Sequence, residues 1–288
     1  MAITNFIPEI WSARLLSNLH KALVYGQGLV VNRNYEGEIR SVGDTVRITS
    51  IGAVTIGDYT KNSTIGEPEV LTDSQKTLEI TESKFFHFFV DDVDRIQAAG
   101  PLMDEAMAEA AYGLANVADQ FIADMYLDAE ANNLVGDDTT PVVPTATSAY
   151  ELLVDLSVKL DEANVPEEGR WVIVPPWYHG LMLKDDRFTK AGTVLSDGRL
   201  MNGRVGEAAG FHILKSNNVP NTSGAKYKIT AGTRMAYSFA EQVNQVEAYR
   251  PEKRFGDAVK GLHLYGGKTV RPQAIAVLTA NKPSGGGS

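Results

Sequence analysis

Gly203, Gly206 and Gly210, followed by Lys215 and Ser216, pose the question of a phosphate-binding loop. Such a loop needs G-x-x-x-x-G-K-[ST], with glycine directly before the lysine so that backbone N–H groups can wrap the phosphate. Here Leu214 precedes Lys215, and the glycines sit three and four apart, which also breaks the dinucleotide spacing G-x-G-x-x-G. Phe211–Lys215 reads as a strand and not as a helix start. The glycines are therefore assigned to turns and to close backbone approach before a strand.

The remaining chemistry-bearing residues are scattered. His20, His87, His179, His212 and His263 form no H-x-x-x-H pair of the kind that binds metal. The acidic pairs Asp91-Asp92, Asp137-Asp138 and Asp185-Asp186 have the ligand type for magnesium. The first pair precedes a predicted helix, where carboxylates cap N–H groups, and the other two sit in turn-like segments. No G-x-S-x-G elbow occurs. Glycosidase carboxylates need not be adjacent, so spacing does not test them. The expectation is a chain without catalytic residues, cofactor or metal.

Composition narrows the class. The 288 residues are 43% hydrophobic and 22% charged, an ordinary globular balance. Cysteine is absent, so no disulfide, zinc-thiolate site or cysteine nucleophile can form, and a reducing compartment fits. The N-terminus lacks a basic region followed by an apolar one, and no run approaches the ~18 to 20 apolar residues of a membrane span. A soluble, intracellular protein is expected. A net charge of −9 argues against gripping nucleic acid through bulk electrostatics. The tail KPSGGGS reads as a flexible linker.

The elements that must position any site follow from periodicity. Trp11, Leu15, Leu19 and Leu23 recur every four positions, which predicts an amphipathic helix over Pro8–Val24. It packs on its own core or lies as an arm on a neighbouring subunit. Asp44–Ile56 and Lys76–Val90 read as the two strands of a long hairpin, with Thr77–Lys84 in its outer half. A two-stranded ribbon is marginal alone and needs a partner surface. Lys61-Asn62 at its tip is a residue pair that some shells join covalently between subunits. Nothing local desolvates Lys61, so the tip is read as solvated.

A long strut-like helix is predicted from Pro101 to about Glu130, roughly 45 Å long, against a radius of gyration of about 19 Å for a globule of this length. A linker follows, then a helix from Ser148 to about Asn164 with a capping box to Glu151. A buried strand at Trp171–Val174 and a short helix after Pro176 come next. Short strands are expected at Phe211–Lys215, Tyr227–Thr230, Met235–Phe239 and Val243–Tyr249. The last segment reads as strand, Gly266-Gly267 turn, strand, with Pro272 at an edge or bulge, returning to the long helix. The fold class is α+β.

This order of parts resembles the major capsid proteins of tailed double-stranded DNA phages, the Hong Kong phage-type capsid fold. RWVIVPPWYHGLMLKDDRF, GRVGEAAGFHILKSNNVP and FGDAVKGLHLYGGKTVRPQAIAVL resemble stretches shared by that coat-protein group. The resemblance implies an N-terminal arm over 1–40, an extended E-loop hairpin over 41–92, and a peripheral domain with the spine helix over 93–144. It further implies an axial α+β domain over 145–249, peripheral strands over 250–281 and a tail over 282–288. The implied function is an icosahedral shell of hexamers and pentamers around double-stranded DNA. The implied partners are sister copies, a portal protein, and a separate scaffolding or a decoration protein. The implied place is the virion, assembled in the host bacterial cytoplasm.

Subunit-interface candidates are Trp11, Leu15 and Leu19 on the arm, and Asp58, Lys61, Glu67, Glu69, Glu79 and Glu82 on the hairpin. Net acidity would keep the inner wall from holding DNA that must leave. The alternatives are an encapsulin-type compartment shell and a soluble hydrolase with scattered site residues.

Overall fold

The computed structural model describes residues 24–34, 45–51, 56, 58, 61, 73–91, 102–185 and 206–283. Two sheets and a ribbon organise them. The strands are β1 (Val31–Asn32), β2 (Thr45–Ile51), β3 (Asp73–Glu79) and β4 (Glu82–Asp91), followed by helix α1 (Leu102–Asp124). Then come β5 (Leu134–Val135), α2 (Ala146–Glu162), β6 (Arg170–Val174), α3 (Pro176–Leu183), β7 (Glu207–Ala208) and β8 (Phe211–Lys215). The last strands are β9 (Tyr227–Thr233), β10 (Tyr237–Tyr249), β11 (Gly256–Thr269) and β12 (Ile275–Ala280). This is a mixed α+β fold.

One four-stranded sheet runs β1-β10-β11-β4, and a six-stranded sheet runs β5-β12-β9-β6-β8-β7. β2 and β3 pair antiparallel as a separate ribbon, with Thr45 opposite Glu79 and Ile51 opposite Asp73. The hairpin strand expected over Lys76–Val90 is in fact two strands. It breaks at Ile80–Thr81, and β4 pairs with β11 in the four-stranded sheet. Thr77–Lys84 is thus the base of the ribbon and not its outer half. Leu78 and Ile80 are buried there with Ile48, Ala240 and Leu264, so the base has its own small core on the body. Lys76 Nζ fastens it further, donating to the Val270 carbonyl at 2.6 Å.

α1 buries Met107, Ala111, Leu114, Ala115, Ala118 and Ile122, while Ala110, Val117, Phe121 and Met125, which the 3/4 spacing of the sequence would also bury, are only half-buried. Its small alanines let it lie close on the four-stranded sheet, where Phe121 meets Tyr265 edge-on at 5.2 Å. The helix stops at Asp124, six residues before the expected Glu130, and is about 35 Å long at 1.5 Å per residue. A 3₁₀ turn over Met125–Asp128 tightens the end, and extended Ala129 leads the chain away.

The following segment, a linker by composition, is stitched to the six-stranded sheet. Buried Asn133 donates to the carbonyls of Gln273 and Ile275 at 2.8 and 3.0 Å. Lys228 pairs with Asp138 at 2.5 Å and donates to Thr279 Oγ1 at 3.1 Å. α2 starts three residues earlier than Ser148: Thr145 is the N-cap, and Ser148, not Glu151, completes the capping box. Leu152, Leu156 and Leu160, which share one face at the helical spacing, are buried, and so is Leu153.

β6 is buried along its whole length between parallel β8 and antiparallel β9. Arg170 at its start is buried, donating to Asp161 at 2.6 Å and to the carbonyls of Val165 and Pro166. It ties the end of α2 to the sheet and satisfies carbonyls that the turn leaves open. Gly210 (φ 79°) and Ala209 (φ 50°) form the two-residue turn between β7 and β8, and positive φ at both positions is what a type I′ hairpin needs. This glycine serves a turn before a strand, as the failed phosphate-loop spacing implies. Gly203 lies outside the described residues.

Two further expectations change. Met235–Phe239 and Val243–Tyr249 join into the single strand β10, with a register shift between Val243 and Gln245. Gly266 and Gly267 are not a turn but lie inside β11. The chain turns after Thr269, with Pro272 opening a 3₁₀ turn, and β12 joins the six-stranded sheet between β5 and β9.

Candidate assembly interface

The surfaces that could meet another subunit start from the aromatic run of β4. Alternation sends Phe86 and Phe88 towards the α1 side, where they pack on the main core, and leaves Phe85 76% exposed. Among the described residues β4 is one of the two edge strands of its sheet, β1 being the other. Between it and α1 runs an apolar groove of about 440 Å³, lined by Phe85, Phe86, Ala110, Gly113, Leu114 and Val117. At the β10–β11 turn Phe255 is 81% exposed, and the Arg254 guanidinium lies 5.7 Å over the Phe89 ring. Ile56, beyond the end of β2, is 96% exposed. Exposed aromatic and aliphatic side chains of this size are what subunit burial uses.

Of the residues singled out by sequence, Asp58 and Lys61 are exposed. Trp11, Leu15, Leu19, Glu67 and Glu69 lie outside the described residues. Glu79 is exposed at the end of β3, while half-buried Glu82 opens β4 and pairs with Lys84 at 3.0 Å. Burial and the Glu82 charge push the Tyr265 phenol up to about 12. Glu79 and Glu82 therefore flank the crossing from ribbon to sheet. Asp91 ends β4 opposite Gly256, and Asp92 with the segment after it lies outside the described residues. Asp137 forms a local turn, accepting from the Thr139 and Thr140 amides. No metal-binding group of His, Asp or Glu occurs among the described residues.

Sequence reasoning missed two buried carboxylates that hold the segment 24–34 to the body. Asp119 of α1 accepts from the backbone N–H of Val24 at 2.8 Å and of Tyr25 at 2.7 Å through one oxygen. Its other oxygen accepts from Asn218 Nδ2 at 2.9 Å. Burial raises its pKa, against the lowering by these donors. Glu241 of β10 pairs with Arg33 at 2.7 Å and with His263 Nε2 at 3.2 Å. Burial pushes the Glu241 carboxyl up, but the His263 hydrogen bond and the Arg33 charge outweigh it, so the pKa lies below the ordinary value. Arg33 Nε also donates to the Gly26 carbonyl at 2.9 Å. A lone carboxylate in a helix or strand carries no spacing signal, so neither residue was visible beforehand.

No helix among the described residues is long and apolar enough to cross a membrane. No curated protein matches the chain by sequence. The family model described as "Phage capsid protein" matches residues 75–278. A structure from Mycobacterium phage Che8 is 32% identical, with a TM-score of 0.72 over 96% of this chain and 98% of that one. The capsid structure of cyanophage P-SCSP1u is 16% identical, with a TM-score of 0.68 over 91% and 89%. An encapsulin complex from Synechococcus elongatus is 11% identical, with a TM-score of 0.58 over 87% of each chain, a likeness of fold alone. With the family model matching residues 75–278 and the Che8 structure 32% identical over nearly the whole of both chains, the chain belongs to the phage capsid protein family, as a major capsid protein of the Hong Kong phage-type fold.

Proposed function

We propose that copies of this chain assemble into hexamers and pentamers that close as an icosahedral phage head around double-stranded DNA. The arm over 1–40 and the E-loop over 41–92 overlap neighbouring subunits. The peripheral segments 93–144 and 250–281 and the axial domain 145–249 form the wall. The observation that carries this reading is the family match over 75–278. Trp11, Leu15 and Leu19 supply apolar burial at about 25 cal/mol per Å² before association costs, and many weak contacts add through multivalency. Asp58, Lys61, Glu67, Glu69, Glu79 and Glu82 set register more than strength, since exposed ion pairs contribute about 0–1 kcal/mol each. A portal protein, a separate scaffolding protein and a decoration protein are the partners, and assembly takes place in the bacterial cytoplasm.

Electron microscopy with light scattering tests this on the purified protein. Closed shells of megadalton mass are expected, and the Trp11→Ala/Leu15→Ala/Leu19→Ala variant should lose them while its subunit stays folded. A stable monomer under all assembly conditions overturns the proposal. Shells from the native source that carry an enzyme instead of DNA would replace the head with a compartment.

A further inference from the structure

Residues 24–34 sit between the two appendages: the arm precedes Val24, and the ribbon strand β2 begins at Thr45. The segment is closed on itself by Arg33 donating to Gly26, and it is bonded at both ends to the body. Asp119 of α1 grips its first residues, and Glu241 of β10 grips Arg33 near its last. Tyr25, Val30 and Val31 are buried in the main core, and β1 runs parallel to β10 with Val31 opposite Tyr237.

The same stretch of sheet carries the ribbon on its other face. Neighbouring residues of a strand point to opposite faces. Glu241 and His263 face the arm root, while the adjacent Ala240 and Leu264 pack against Leu78 and Ile80 of the ribbon base. Arm root and ribbon base are thus attached back to back across β10 and β11.

Burying charge is costly, and apolar packing alone would hold an 11-residue segment to a core without it. What hydrogen-bonded carboxylates add is direction, because hydrogen bonds are directional and apolar burial is not. We infer that Asp119 and Glu241 are positioning residues for assembly, which together fix the exits of the N-terminal arm and the E-loop as one coupled unit. This rests on the reading that both appendages overlap neighbouring subunits. Turning the arm root breaks the Asp119 bonds, strains the Gly26–Arg33 closure and pulls on Glu241, whose strand also seats the ribbon.

Hydrogen exchange and electron microscopy of Asp119→Ala, Glu241→Ala and Asp119→Asn test it. Asp119→Ala should raise exchange roughly tenfold or more at Val24–Gly26, and also at Val31–Asn34, which Asp119 does not touch. Glu241→Ala should do the converse, raising exchange at Val24–Gly26. Asp119→Asn keeps an acceptor for the two backbone amides, and a flipped Asn218 amide restores the third bond, so it should recover near-native exchange. Among shells, both alanine variants should give broader diameters or open sheets, with the Asn variant restored. Exchange confined to the mutated end overturns the coupling. Native, uniform shells from Asp119→Ala overturn the positioning role. If the unmutated protein forms no shell, it is the head assignment that fails, and the exchange results still decide the coupling.

Discussion

Gly266→Ala tests how the ribbon is seated. A Cβ on Gly266 would lie 2.2 Å from the Glu79 carbonyl oxygen, 2.9 Å from Ile80 Cα and 3.1 Å from the Glu79 carbonyl carbon. Ordinary contact needs about 3.5 Å, so the ribbon base must withdraw by more than about 1 Å. Overpacking costs about 1–3 kcal/mol. The crowded atoms are backbone and cannot escape by changing rotamer, which places this case near about 2–3 kcal/mol. Full undocking would forfeit the burial of Leu78 and Ile80, about 3–6 kcal/mol in total. The clash is smaller than the anchor, so the base stays docked but strained. Exchange at Thr77–Ile80 should then rise about 30- to 150-fold, at 1.4 kcal/mol per tenfold. Hydrogen exchange by mass spectrometry reads this directly. Gly28→Ala, where a Cβ meets nothing within 4 Å, is the control and should leave exchange unchanged. Unaltered protection of Thr77–Ile80 in Gly266→Ala would refute the seating.

Two other outcomes follow from local chemistry. Thr145→Ala removes the N-cap of α2 and half of its capping box, and should lower stability in a denaturant titration by about 1 kcal/mol. Glu241, with its pKa lowered in the folded protein, contributes stability that is fully present above the ordinary value of 4.5 and is lost as pH falls through the lowered one. The gap in thermal stability between the unmutated protein and Glu241→Gln should therefore narrow below about pH 4.5, and a gap that stays constant on acidification contradicts the ion pair.

Where the fold could be read from sequence, a local pattern was enough. The leucines of α2, the unbroken apolar run of β6 and the strand Phe211–Lys215 each carry their own period, and each lies where that period puts it. Failures came where sheet membership decides. Lys76–Val90 alternates without a glycine or proline, so nothing local marks the break at Ile80–Thr81. It arises because Leu78 and Ile80 pack against Ala240 and Leu264 on one face, while Phe86 and Phe88 pack on the α1 side. Gly266-Gly267 has the composition of a turn, but the crossing ribbon needs a residue without a side chain there. Ser148 and Glu151 match a capping box in spacing, and Thr145 pre-empts them. The exposed Phe85 was legible only as part of an aromatic run. Asp119 and Glu241 acquire meaning from partners about 95 and 208 residues away, which no spacing rule reaches.

The placement of β12 has a consequence for synthesis. It is an inner strand, parallel to β5 on one side and antiparallel to β9 on the other, yet it comes from residues 275–280. Until those six residues emerge, a nascent chain has its larger sheet open at β9 and leaves β5 without a strand partner. A product cut short before Ile275 would present the bare edges of β5 and β9, fold poorly and be cleared by proteases. Completion of the larger sheet, and with it the subunit's protection from proteolysis, thus waits on the last strand of the chain to be made.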